Sequence, residues 1–152
     1  MGGFDLKIRL DIPGVPVAKA RPKFSTRGGF ARAYKPKSQE EAEAHFSAIA
    51  QYQLRRRGYT APIPAGTALR VSCWFLMPIP RGCSKKFRKR CQAEAVYHAK
   101  RPDTDNLIKF VKDCCNRVVW HDDSQVAVVR GMKVYGAEPR TVVLIETLGE
   151  EF

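Results

Sequence analysis

Five of the fifteen acidic residues of this chain lie between residues 103 and 123, in a protein whose formal net charge is +12. All five are aspartates: Asp103, Asp105, Asp113, Asp122 and Asp123. Carboxylate oxygens are the ligands that Mg²⁺ prefers, and Mg²⁺ beside a phosphodiester polarises it and lowers the pKa of the attacking water. The aspartates therefore indicate metal ions brought to a phosphate backbone.

Two basic runs precede these aspartates. Residues 17–38 carry seven Lys or Arg residues and no acid, and residues 81–101 carry eight against Glu94. Each run alone is as readily a solvated face, but two runs beside an acidic cluster favour phosphate contacts and hence a nucleic-acid partner. The residues that we expect to contact the nucleic acid are Lys19, Arg21, Lys23, Arg27, Lys85, Lys86, Arg88, Lys89 and Arg101.

The spacing of the first three aspartates allows two arrangements. Pro102 disfavours helix at the residue before it, so Asp103 and Asp105 are expected on extended backbone, where residues two apart point the same way and can share one ion. If a helix begins near Asp105, then Asp105, Lys109 and Asp113 form one stripe at spacings of four. That stripe is either catalytic, with Lys109 facing the phosphate, or an exposed salt-bridge ladder with Asp105 as an N-cap.

The last two aspartates follow an apolar run, residues 118–120, and precede a predicted strand. A returning strand would bring Asp123 beside Asp103 and Asp105. His121 is the one histidine near the acids and is a candidate for activating water, although a lone histidine is more often structural or exposed.

Hydrophobic patterning predicts the elements that must position these residues. Alternation at Phe4, Leu6, Ile8, Leu10 and Ile12 predicts an opening strand that ends at Pro13. The Pro- and Gly-containing basic run that follows predicts a loop or irregular hairpin. Ser38 and Glu41 match a capping box, which predicts a helix that runs to Arg57.

Further along, patterning predicts a well-covered strand over 69–77, a short basic helix over 84–96 and a helix over 105–116. Two final strands are predicted over 125–135 and 141–147, joined by a connection of hairpin length. Strands and helices without regular alternation favour an α+β fold, a single domain over residues 1–152 with a mixed β-sheet flanked by helices.

The cysteines and the apolar residues exclude several classes of protein. Five cysteines without a CxxC pair indicate reduced thiols and neither a disulfide framework nor a zinc ribbon. A zinc site of Cys83, Cys91 and His98 would match no familiar spacing. Charged residues interrupt the N-terminus, and no apolar run is near the roughly 20 residues that span a bilayer. We expect a cytoplasmic protein with no membrane partner and no organic cofactor.

The strings PDTDNLIK at 102–109 and WHDDSQV at 120–126 resemble the signature of RusA-type Holliday junction resolvases, small Mg²⁺-dependent endonucleases of bacteria and their phages. Near the N-terminus, five residues resemble the basic segment of that family: Gly14, Pro16, Lys19, Arg21 and Pro22. The order of elements is similar over nearly the whole chain.

The resemblance implies a RusA-like homodimer that binds branched DNA and nicks four-way junctions symmetrically. It implies that Asp103, Asp105 and Asp123 are catalytic metal ligands, with Asp122 as the alternative to Asp123, and that Lys109 is the catalytic lysine. The implied cofactor is Mg²⁺, for which Mn²⁺ can substitute. A non-catalytic nucleic-acid-binding protein and a metal-dependent RNA nuclease stay open as alternatives.

Overall fold

A four-stranded mixed sheet organises the chain, of which the computed structural model describes residues 5–152. In chain order the elements are β1 (Lys7–Pro13), β2 (Lys23–Ser25), β3 (Arg32–Tyr34), α1 (Lys37–Arg56), β4 (Leu69–Met77), α2 (Lys85–Gln92), α3 (Thr104–Cys115), a 3₁₀ turn (Asp123–Gln125), β5 (Val126–Tyr135) and β6 (Arg140–Thr147). The main sheet has the order β1-β6-β4-β5, with β5 parallel to β4 and the other neighbours antiparallel, and β2 and β3 form a separate sheet. The predicted α+β fold with a mixed sheet is confirmed.

The core lies between one face of the main sheet and the helices α1 and α3. Strands β1, β4 and β6 contribute alternate apolar residues to it, as a period of two requires. Rings from the two helices meet edge to face, with the centroids of Phe46 and Phe110 6.1 Å apart. Burying each large apolar side chain contributes about 1.5 to 3 kcal/mol. Members of this core include Ile8, Leu10, Leu54, Val71, Phe75, Leu107, Val111 and Ile145.

The predicted opening strand and first helix are present, with one correction at the helix start. Ile8, Leu10 and Ile12 are buried in β1 as expected, while Phe4 lies outside the described residues. The Ser38 capping box is wrong: α1 begins at Lys37, and the Pro36 carbonyl accepts the first amide bonds. Gln39 turns inward instead, where it accepts a hydrogen bond from the Ala20 amide at 2.6 Å.

The two final strands do not form the hairpin that their short connection predicts. The largely apolar strand β4 lies between β5 and β6 and pairs with both. Residues 136–139 therefore carry the chain across the end of β4. Gly136 makes the crossing possible, since a Cβ atom there would lie 2.9 Å from Cδ2 of Leu76.

All five cysteines are free thiols, four of them buried and Cys83 partly exposed. Burial raises the pKa of the Cys73 thiol to about 12. Over residues 5–152, the structure contains no helix long and apolar enough to cross a membrane.

Candidate active site

Asp103 and Asp105 straddle the first residue of α3. Asp103 is the N-cap residue, with extended backbone, and its carbonyl accepts a hydrogen bond from the Leu107 amide. Asp105 lies in the first helical turn. Extended backbone is therefore correct for Asp103 and wrong for Asp105, because Pro102 restricts only the residue before it and the helix can begin at Thr104.

The two carboxylates are exposed rather than used in capping. Within residues 5–152, the Asp103 side chain makes no capping hydrogen bond. An N-cap role for Asp105 is wrong, since that position belongs to Asp103. Both side chains are thus directed to solvent at the positive end of a helix, where negative charge is favourable.

The stripe of Asp105, Lys109 and Asp113 is present, but its two halves differ. The Lys109 ammonium lies 3.8 Å from the Asp105 carboxylate, and the two side chains are 62% and 69% exposed. An exposed ion pair at this distance contributes little to the stability of the fold. Asp113, by contrast, is half-buried and pairs with Lys19 from the basic run. Within the predicted ladder, the ion pair between Asp105 and Lys109 is therefore weak. The Lys109 ammonium is accessible to solvent or to a phosphate.

Strand β5 holds the segment that carries Asp103. The Lys133 ammonium donates to the carbonyl oxygens of Lys100 at 2.6 Å and Pro102 at 2.7 Å. Two residues earlier on the same sheet face, Gly131 lies against α3: a Cβ atom there would be 2.9 Å from Cγ2 of Thr104. Lys133 and Gly131 are therefore supporting residues that no sequence motif includes.

One signal in the sequence points to this contact. A glycine inside a predicted strand often marks a close approach of another backbone or ligand, and Gly131 lies within the predicted strand over 125–135. Lys133 has no comparable local signal, because its partners lie about thirty residues away along the chain.

Asp122 and Asp123 have different environments. Asp122 caps the 3₁₀ turn: its carboxylate accepts from the Ser124 amide at 2.9 Å and from the Ser124 hydroxyl, and its amide donates to Gln125. These serine bonds lower the pKa of the Asp122 carboxyl. The Asp123 carboxylate accepts a hydrogen bond from the indole of the buried Trp120 at 2.8 Å, and its backbone carbonyl accepts from the Val126 amide. Of the two aspartates, Asp123 is therefore the better candidate for a metal ligand, because the Asp122 carboxylate is already bonded within the turn.

The donor set suits a hard divalent ion. Asp103, Asp105 and Asp123 offer only carboxylate oxygens, the ligands of Mg²⁺. Over residues 5–152, the structure contains no group of three or more His, Cys, Asp or Glu side chains placed to hold a metal ion. Neither the three aspartates nor the zinc site considered for Cys83, Cys91 and His98 forms such a group. Since Mg²⁺ is usually held by one or two carboxylates together with water and substrate phosphates, the three aspartates stay a prediction.

The residues expected to contact nucleic acid fall into two groups. Two have contacts within the protein: Lys19 pairs with Asp113, and Arg88 donates to the carbonyls of Pro80 and Arg81. The other seven are exposed, namely Arg21, Lys23, Arg27, Lys85, Lys86, Lys89 and Arg101. His121 is also exposed, and its backbone amide donates to Ile63.

Comparison with known proteins relates this arrangement to one family. The family model described as "Endodeoxyribonuclease RusA" matches residues 13–146, a span that includes α3 and the turn that carries Asp122 and Asp123. The chain is also 30% identical over 138 residues to the "Uncharacterized protein YqaN" of Bacillus subtilis (strain 168), a match that covers 91% of this chain and 94% of the relative.

Lys133→Met should loosen the start of α3. The substitution keeps an aliphatic side chain but leaves two carbonyls without their donor, at an expected cost of about 1 to 3 kcal/mol. Hydrogen exchange should become faster at the Leu107 amide, which donates to the Asp103 carbonyl. Lys86→Met, at an exposed site on α2, is the matched control. Unchanged protection at Leu107 would show that Lys133 does not hold this segment.

Substitutions at the two positions should separate the roles of Asp122 and Asp123. Asp123→Asn keeps an oxygen for the Trp120 indole, so we expect an unchanged melting temperature and weaker Mg²⁺ binding by calorimetry. Asp122→Ala removes the carboxylate that caps the 3₁₀ turn, so we expect a lower melting temperature with Mg²⁺ binding retained. The reverse pattern would make Asp122 the ligand.

Proposed function

Because the chain belongs to the RusA family of endodeoxyribonucleases, we propose that it is a Holliday junction resolvase that acts in DNA recombination and repair. In this proposal a homodimer cuts branched DNA by paired symmetric nicks, with Mg²⁺ as the cofactor and Mn²⁺ able to substitute. The observation that carries the proposal is the pair of exposed aspartates at the start of α3, with Lys109 one turn further, in a chain of net charge +12.

The residues of the candidate site and its surroundings have three roles in this proposal. Asp103, Asp105 and Asp123 would hold Mg²⁺, which supplies polarisation of the phosphodiester and a lowered pKa for the attacking water. The Lys109 ammonium lies on the same exposed side as Asp105 and would donate to the phosphate oxygens as negative charge develops on them. The exposed arginines and lysines bind the flanking phosphates.

A homodimer follows from the symmetry of the substrate. A four-way junction with two-fold symmetry needs two cuts at equivalent phosphates. An isologous dimer presents the same site twice, related by the same two-fold axis. One chain with one candidate site at the start of α3 would make a single nick, so the proposal of paired nicks requires a second copy.

Two alternatives are weaker on specific observations. A purely structural role for the acids would be favoured by capping and tight ion pairs, but Asp105 meets Lys109 only at 3.8 Å. Asp113, which does have a close partner, is not among the proposed ligands. An RNA substrate is disfavoured because the matched family is described as an endodeoxyribonuclease.

Junction cleavage tests the proposal directly. The protein with Mg²⁺ should cut a synthetic four-way junction at paired opposite positions, and Asp103→Asn should lose cleavage while junction binding without metal stays equal or tightens. Binding should survive because the substitution removes a negative charge that faces a phosphate. Gel analysis of end-labelled strands measures the nicks. The control is Asp5→Asn, which makes the same change of charge at another exposed aspartate.

Two outcomes would contradict the resolvase assignment. One is equal cutting of junctions, duplexes and single strands by the unmodified protein. The other is loss of junction binding by Asp103→Asn in a protein that keeps its melting temperature, because a metal ligand is not needed for binding without metal.

Lys109→Ala should slow cleavage on the order of a hundredfold, the scale expected for loss of one donor to a developing oxyanion. Its melting temperature should stay unchanged, because an exposed ion pair contributes little to stability. Single-turnover cleavage and thermal melting measure the two effects, with Lys112→Ala on the same helix as the control. Normal cleavage with a lower melting temperature would assign Lys109 to the structural ladder.

A further inference from the structure

Strands β2 and β3, with the turn between them, form an arm over residues 23–34 that is both basic and aromatic. The two strands pair only with each other in a separate two-stranded sheet. Three large rings on the arm are exposed, namely Phe24 at 72%, Phe30 at 72% and Tyr34 at 48%. Large apolar rings are usually buried, so three exposed rings on one short element indicate a contact surface.

The arm also has the charge of a nucleic-acid contact. Lys23, Arg27 and Arg32 lie on it and are exposed, and residues 17–38 contain no acid. The positive charge of the arm repels the same arm of another copy, whereas phosphates attract it. The occupant that fits both properties is DNA with bases open to stacking.

The pairing register separates the rings onto two faces. Phe24 is opposite Ala33, so its neighbour across the strands is small and leaves the ring open. Tyr34 is opposite Lys23 on the other face, because residues that pair across strands point the same way and successive residues alternate. Each face of the arm therefore offers an aromatic ring.

The base of the arm is tied to the helix that carries the candidate site. The Lys19 amide donates to the carbonyl of Asn106 at 2.9 Å, one residue from Asp105, and the Lys19 ammonium pairs with Asp113 further along α3. On the other side, Lys35 pairs with Glu43 of α1 at 2.7 Å. DNA whose phosphate lies at Asp105 and Lys109 is thus close to the root of the arm.

We propose that the arm recognises the branch point, with Phe24 and Phe30 stacking on bases exposed where the duplex arms meet. This rests on the proposed function. Inside a duplex the faces of the bases are covered by their neighbours, and they become accessible where stacking is interrupted. Stacking on the arm therefore adds affinity for branched DNA and little for linear duplex, which makes the arm a determinant of substrate selection.

The test compares binding of two DNAs in the absence of divalent metal. The variant Phe24→Ala with Phe30→Ala should bind a four-way junction on the order of tenfold or more weakly, while its affinity for a linear duplex changes less than about twofold. Fluorescence anisotropy gives both dissociation constants. A 2-aminopurine beside the branch point should change its fluorescence with the unmodified protein and not with the variant. Phe24→Trp with Phe30→Trp, which keeps the rings, should restore both signals.

Three controls separate stacking by the arm from loss of any exposed ring, from unfolding and from a change of oligomeric state. Tyr97→Ala removes an exposed ring outside the arm and should keep the junction preference. The melting temperature of each variant should match that of the unmodified protein, because the substituted rings are exposed. Light scattering measures oligomeric state, and a variant that changes mass while keeping its junction affinity would assign the rings to a contact between copies and overturn the proposal.

The remaining outcomes distinguish failure of the arm from failure of the function. Equal losses on junction and duplex would make the arm a general DNA contact, and no loss on either would leave it without a role; both overturn the proposal. If the unmodified protein itself prefers neither DNA, the resolvase assignment fails as well. If it prefers the junction and the double variant keeps that preference, only the role of the arm is wrong.

Discussion

Helix α3 lies so close to β5 at Gly131 that even a Cβ atom there would force side chains of the helix to shift. A Cβ atom at that position would lie 2.6 Å from Cδ1 of Ile108 and 2.9 Å from Cγ2 of Thr104, closer than real Cβ atoms approach. These two helical residues bracket Asp105. The position of the candidate site relative to the sheet is therefore set by a missing side chain, and Lys133 on the same face holds the segment that enters the helix.

The same helix also carries the base of the β2–β3 arm. Its carbonyl at Asn106 and its carboxylate at Asp113 both bind Lys19, so two contacts about two turns apart fix the arm's root against α3. One rigid helix thus relates the acidic residues to the basic and aromatic ones. Asp113 is used in fixing the arm, whereas Asp103 and Asp105 at the start of the same helix are exposed.

The local sequence pattern predicts the helices and strands well, and it predicts the pairing of the strands less well. Strand β4 is predicted over its observed residues because it is rich in apolar and aromatic residues, a property that the sequence shows directly. The order of strands depends on which neighbours β4 accepts, and a four-residue connection does not reveal that β6 crosses to its far side. Likewise, Ser38 has the right chemistry for a cap, but it is the buried Gln39 that forms hydrogen bonds, with the backbone at residues 18 and 20.

The candidate site is also predicted from the sequence only in part. The residue types and spacing of Asp103, Asp105 and Lys109 identify it, since short-range spacing on a helix follows from its period. The groups that hold it cannot be identified from motifs. The Lys133 bonds join a side chain to backbone carbonyls across a long stretch of chain, and any lysine on a strand has the same local sequence.

The location of Asp103 and Asp105 at the start of α3 also affects the electrostatics of the site in the free protein. Neighbouring carboxylates repel each other, and solvent screens that repulsion only in part. At the first turn of α3 the helix dipole offsets part of that repulsion, by about 0.3 to 1 kcal/mol for each charge. The Lys109 ammonium at 3.8 Å adds a weak attraction that solvent screens. Divalent ions and a phosphate backbone would therefore approach two exposed aspartates at the end of the helix that favours their negative charge.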